Sequence, residues 1–99
     1  MTGKLLAAAL ALAAAAAHAQ ENATARSLAA TCASCHGTEG RSATQEIASL
    51  AGLPKELIVA QMKAFRDGTR PATVMQQLAK GYSDAQIELI ADYFSRRTR

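Results

Sequence analysis

The sequence has only two cysteines and two histidines, and that shortage removes a class of function. A zinc site takes about four nitrogen or sulfur ligands. Here the two cysteines have one histidine beside them, and the other, His18, lies in a segment read below as a removed leader. No run reads as a strand, which takes away the βαβ setting of a thioredoxin-type thiol pair. The longest apolar run, Leu5 to Ala17, is shorter than the roughly 18–20 residues that span a bilayer. Eleven basic residues stand against eight acidic ones without a basic stripe, so there is no nucleic-acid footprint. Internal repeats are also missing.

What is present begins with a basic start at Lys4, the apolar run, and Ala17-His18-Ala19, which fits the A-x-A cleavage pattern. Together these features read as a secretory signal peptide over residues 1–19. Residues 20–99 then form one small domain, with no stable membrane span after cleavage. Export and a cysteine pair together point to a bacterial periplasm. A domain of this size buries a marginal core and often needs a staple.

Cys32-Ala33-Ser34-Cys35-His36 supplies one. A C-x-x-C-H run reads as a c-type haem attachment site. Two thiols add to the two vinyl groups on one edge of the porphyrin, and two intervening residues let both sulfurs face that edge. The histidine follows at once, so its imidazole serves as the near ligand of the iron. A disulfide between Cys32 and Cys35 would close a tiny loop and stabilise little. One covalent haem c is therefore the expected cofactor, and its flat apolar surface is something for helices to pack on.

The far side of the iron can be closed by methionine or histidine, or left open. After residue 19 there is no second histidine, and the methionines are Met62 and Met75. Met62 has apolar neighbours at i−4 and i+3 and reads as core. Met75 follows a proline-containing loop at the start of a short helix and is the expected sixth ligand. The metal ligands are thus His36 and Met75, with Cys32 and Cys35 as the anchors, and no residue is expected to be catalytic.

The pattern is all-α. Glu21 to Thr31 is alanine-rich and delivers the haem motif. Gly37 to Gly52 is irregular, with Ile47, Leu50 and Leu53 expected to fold it back. A helix opens with Pro54 at its first position and stops at Gly68, burying Ile58, Met62 and Phe65. A short helix over about Thr73 to Lys80 precedes a capping box at Ser83-Asp84-Ala85-Gln86. The last helix buries Ile87, Ile90, Ala91 and Phe94, and Arg96, Arg97 and Arg99 suit its negative end. Arg70 and Lys80 flank Met75 and are candidate steering charges for a partner, with solvated surface charge as the alternative reading.

These residues resemble a class I c-type cytochrome along the whole of residues 20–99. The resemblance rests on Cys32-Ala33-Ser34-Cys35-His36-Gly37, Ser49 to Gly52, Lys63 to Gly68, Met75, Gly81 to Asp84 and Ile90 to Phe94. Arg70 to Met75 with Ala79 to Ser83 is similar to the cytochrome subunit of flavocytochrome c sulfide dehydrogenases. The resemblance implies about four helices around one covalently held haem, with the first and last helices crossing so that Ala25 and Ala29 meet Ile90 and Tyr93. It also implies that the Ala48 carbonyl, where the family often has proline, holds the proximal imidazole. The implied function is electron transfer without bond-making, with a flavoprotein oxidising reduced sulfur as donor. A free shuttle to a terminal oxidase or reductase, and an open-iron haem sensor or peroxidase, are the alternatives. A thiol–disulfide oxidoreductase ranks behind both.

Overall fold

The computed structural model describes residues 2–99, apart from the side chains of residues 17–22. The expected cleavage pattern at Ala17-His18-Ala19 and the start at Gln20 lie outside the described residues. Five helices follow one another: α1 (Thr2–Ala30), α2 (Ala33–His36), α3 (Lys55–Asp67), α4 (Met75–Ala79) and α5 (Asp84–Ser95). A short 3-10 turn covers Thr38–Gly40. There is no strand among the described residues.

Alanine, the best helix former, dominates α1. Its first part packs on nothing: Leu5, Leu6, Leu10 and Leu12 are exposed. The packed part begins at Ala25, where Ala25 and Ala29, one turn apart, are buried and α1 lies against α5. Small side chains at i and i+4 let the two helices approach closely. Among the described residues no helix is long and apolar enough to cross a membrane.

Pro54 sits one position earlier than the sequence suggests. It is the N-cap of α3, with φ −55° and ψ 135°, and Lys55 is the first helical residue. A proline ring fixes φ in a range that either position accepts, so the sequence alone leaves this register open. Gly68 ends the helix in the left-handed conformation, φ 80°, as a glycine there does most cheaply. Ile58 and Met62 are buried, and Phe65 packs half-buried against the same cluster. The short helix α4 is tighter than expected, covering Met75–Ala79 rather than Thr73 to Lys80.

The capping box of α5 is complete. Gln86 N–H donates to Ser83 Oγ at 3.2 Å, and Ser83 N–H donates to Gln86 Oε1 at 2.9 Å. Ile87, Ile90, Ala91 and Phe94 form the inner face and are fully buried. At the other end, Arg97 Nε donates to the Tyr93 carbonyl at 3.2 Å, and the guanidinium lies 4.4 Å from the Tyr93 ring centroid. That cation satisfies one of the carbonyls a helix end leaves open.

The loop from Gly37 to Gly52 does fold back, but Ile47 takes no part in holding it and remains exposed. Leu50 and Leu53 are half-buried against the core. The closure is made by backbone instead. Leu50 N–H and Ala51 N–H donate to the Gly40 carbonyl, and Gly52 N–H donates to the Phe94 carbonyl at 2.9 Å. Gly40 has φ +81°, and a Cβ there would come within 2.7 Å of the Phe94 ring. Only glycine meets both the dihedral and the approach.

Arg66 ties α3 to the start of α5. Its Nη2 lies 2.6 Å from Asp84 Oδ1, and its Nη1 donates to the Tyr82 carbonyl at 3.4 Å. The hydrogen bond from Arg66 holds the Asp84 carboxyl below the usual carboxylate range. A lowered carboxylate pKa stabilises the fold above its unfolded value, and that contribution is lost as pH falls through the folded value. Melting temperatures followed from neutral pH downward should therefore fall more steeply for the native chain than for Asp84→Asn. Parallel acid limbs would contradict this.

Candidate haem-attachment site

The last turn of α1 leads straight into the motif. Cys32 N–H donates to the Ala29 carbonyl at 3.0 Å, and Thr31 Oγ1 donates to the Leu28 carbonyl at 2.9 Å. Cys32 is the N-cap of α2, whose bonds run from Cys35 N–H and His36 N–H to the Cys32 carbonyl. One helical turn therefore sets Cys32 and Cys35 at i and i+3, on one side of the chain. Gly37 ends that turn with φ +86°, and a Cβ there would overlap the Arg41 carbonyl. No other residue fits directly after the histidine.

His36 is oriented from a distance. Its Nδ1 lies 2.6 Å from the Ala48 carbonyl oxygen. A carbonyl only accepts, so Nδ1 carries the proton and Nε2 keeps its lone pair for a metal. Such a second partner fixes both ring orientation and tautomer. Alanine thus offers the carbonyl that the family resemblance assigns to this position.

Both cysteines are free thiols. Burial pushes the half-buried Cys32 thiol up, against a smaller opposing effect of the Thr31 hydroxyl, and Cys35 adds to the rise. A raised pKa is the opposite of what a thiol–disulfide enzyme arranges for its nucleophile. Cys35 is exposed and borders an open groove of about 650 Å³, walled in part by Ala33, Arg41, Ala43, Thr44 and Ile47. The Cys35 sulfur thus borders open space, while Cys32 stands half-buried at the edge of the core.

Met75 is the first residue of α4 and is half-buried. It packs against the same buried cluster as Cys32, a cluster in which Met62 is a member. The structure therefore gathers Cys32, Cys35 and His36 on one turn and sets Cys32 and Met75 against one core. Val74 and Leu78, one turn apart on α4, and Leu57 on α3 leave 42 to 57% of their surface exposed. These apolar side chains suit a flat apolar group. The donor set fits haem c: two thiols one turn apart, an imidazole with a fixed tautomer, and a thioether beside apolar surface. Among the described residues no group of three or more His, Cys, Asp or Glu could hold a bare metal ion.

The sequence did not reveal Tyr82 as part of this region. Its hydroxyl meets Thr31 Oγ1 at 2.8 Å, joining the turn before α5 to the residue that precedes Cys32. The partners lie 51 residues apart, and no local pattern announces such a pair.

A strand-free set of helices around a C-x-x-C-H turn, with its histidine held through Nδ1, defines a small class I c-type cytochrome. The chain belongs to the cytochrome c family, whose model matches residues 21–96. It is 42% identical over 72 residues to the cytochrome subunit of sulfide dehydrogenase from Chlorobaculum tepidum, covering 73% of this chain and 64% of that protein. A thiosulfate dehydrogenase electron acceptor from Thiomonas intermedia is 39% identical over 69 residues, which are 69% of this chain and 32% of that one. The solved structure of Acidithiobacillus ferrooxidans cytochrome c4 aligns with TM-score 0.62 at 38% identity, over 65% of this chain and 37% of that chain. The chain thus spans just under two thirds of the first of these relatives and about a third of the other two. It is a c-type cytochrome electron-transfer domain related to sulfide and thiosulfate dehydrogenase cytochromes and to cytochrome c4-type carriers.

Proposed function

We propose that residues 20–99 are an exported single-haem electron carrier that takes electrons from a flavoprotein sulfide dehydrogenase in the periplasm. Haem c supplies a ferrous/ferric couple. The chain's own residues do the rest: Cys32 and Cys35 anchor the group covalently, His36 Nε2 and the Met75 sulfur ligate the iron, and the Ala48 carbonyl keeps the imidazole in one orientation. A thioether raises the potential relative to harder ligands, which suits an acceptor from a donor of lower potential. Residues 1–19 act as the export signal, and their exposed leucines support a segment that the folded domain does not use.

The one turn that carries both thiols and the Nδ1-bonded imidazole supports the haem reading most strongly. The choice of donor rests on likeness to the Chlorobaculum subunit. The intact mass of denatured protein, made in a host that attaches haem, should exceed that of residues 20–99 by one haem; a bare-chain mass would end the reading. Sulfide together with a flavoprotein dehydrogenase should then reduce the purified protein and copurify that flavoprotein. A free shuttle to a terminal oxidase or reductase is the second reading. Reduction without stable association would select it.

A further inference from the structure

Between α3 and α4 lies a short irregular stretch, Gly68 to Val74, that ends on Met75. Gly68 N–H donates to the Phe65 carbonyl at 3.2 Å and Thr69 Oγ1 to the Ala64 carbonyl at 3.3 Å, and Arg70 adds contacts to both flanking helices. Arg70 N–H donates to the Ala64 carbonyl at 3.2 Å. Its guanidinium lies 4.7 Å from the Phe65 ring centroid. Its Nη1 also donates to Gln61 Oε1. On the other side, Gln76 Nε2 donates to the Arg70 carbonyl at 3.2 Å. Arg70 is thus held to two successive turns on one face of α3 by its side chain, and to α4 at the residue next to Met75 by its backbone. Among the described residues no carboxylate pairs with it. A planar fork that stacks and donates at once explains this grip, and a point charge does not.

We propose that Arg70 is a positioning residue for Met75: it fixes the connection to α3, so that α4 presents the sulfur at a constant place. This rests on the reading of Met75 as the sixth ligand. With the fork removed, the connection opens more often and the sulfur leaves the iron more readily. An external ligand competes for the iron only in the open form, so its apparent affinity reports that population.

The test is a titration of the ferric, haem-loaded protein with imidazole, followed in the main haem absorption band in every variant, with loss of the near-infrared sulfur–iron band reporting Met75 displacement wherever that band is present. Arg70→Gln should raise the apparent imidazole affinity about tenfold, the loss expected for one stacked, hydrogen-bonded cation. Arg70→Lys keeps the charge without the plane or the fork and should shift in the same direction. In Met75→Ala the affinity should be higher still, and adding Arg70→Gln to it should change nothing, because coupled residues act through one event. Wild-type affinity in either Arg70 variant overturns the proposal, as does a lowered melting temperature with unchanged affinity, which is the mark of a merely structural role. If Met75→Ala keeps the band, the ligand reading falls and takes the proposal with it. If Met75→Ala loses the band while the Arg70 variants match wild type, only the proposal falls.

Discussion

Replacing Met75 by alanine is expected to lower the reduction potential of the haem-loaded protein, abolish its near-infrared sulfur–iron band and admit carbon monoxide to the reduced iron. A thioether is a soft, neutral ligand that favours ferrous iron, and its loss removes that preference. The drop should be on the order of a hundred millivolts, a fraction of the roughly 0.8 V that axial ligation spans. The bound sulfur also keeps small molecules away, so the wild type should bind carbon monoxide poorly at neutral pH. Met62→Leu is the control. Met62 is buried among Ile58, Ile87 and their neighbours, and a swap of similar volume there costs less than about 1.5 kcal/mol. Its potential and band should match the wild type. Loss of the band in Met62→Leu with its retention in Met75→Ala would reverse the ligand assignment. Ready carbon monoxide binding by the wild type would favour the sensor or peroxidase reading.

The second large effect concerns the cysteines. Cys32→Ala with Cys35→Ala, prepared without haem, should be largely unfolded at 25 °C by circular dichroism. Among the described residues the buried apolar set is Ala25, Ala29, Ala51, Ile58, Met62, Ala79, Ile87, Ile90, Ala91 and Phe94. Half of these are alanines, which remove little apolar surface from water. A single core in a domain this small rarely supplies more than about 3–5 kcal/mol, and a core built this thinly falls below that. A cooperative melt of the double variant would show that the helices hold without their covalent cofactor.

The parts of this fold that are legible in the sequence are those in which the partners are close along the chain. The inner faces of α3 and α5 follow from apolar residues three and four apart, the capping box at Ser83 from four consecutive residues, and the end of α3 from Gly68. The haem motif is legible for the same reason, since its chemistry is written in five adjacent positions. Ile47 differs from its expected role because an apolar side chain need not be the one that closes a loop; the Gly40 and Phe94 carbonyls do it. Arg66, Arg70 and Tyr82 were unread as structural ties because each acts on a residue brought near only by folding. Arg70 in particular reads from the sequence as a docking charge or as solvated surface charge, and its contacts with Gln61 and Phe65 become visible only in the folded chain. Met75 stands between the two cases: composition narrows the sixth ligand to two methionines, and only folding leaves Met75 half-buried at the edge of the core while Met62 lies within it.

The pairing of Ala25 and Ala29 with α5 has a consequence for the order of events during biogenesis. It joins the helix just before the haem motif to the final helix, so its formation requires closure of nearly the whole intervening chain. Closure over that span carries an entropic cost before any contact rewards it. Under the proposed export, a chain emerging amino end first exposes Cys32, Cys35 and His36 well before Ile87 to Phe94 arrive to cover their surroundings. The topology itself leaves an interval in which both thiols are uncovered, and it ends that interval when the last helix docks.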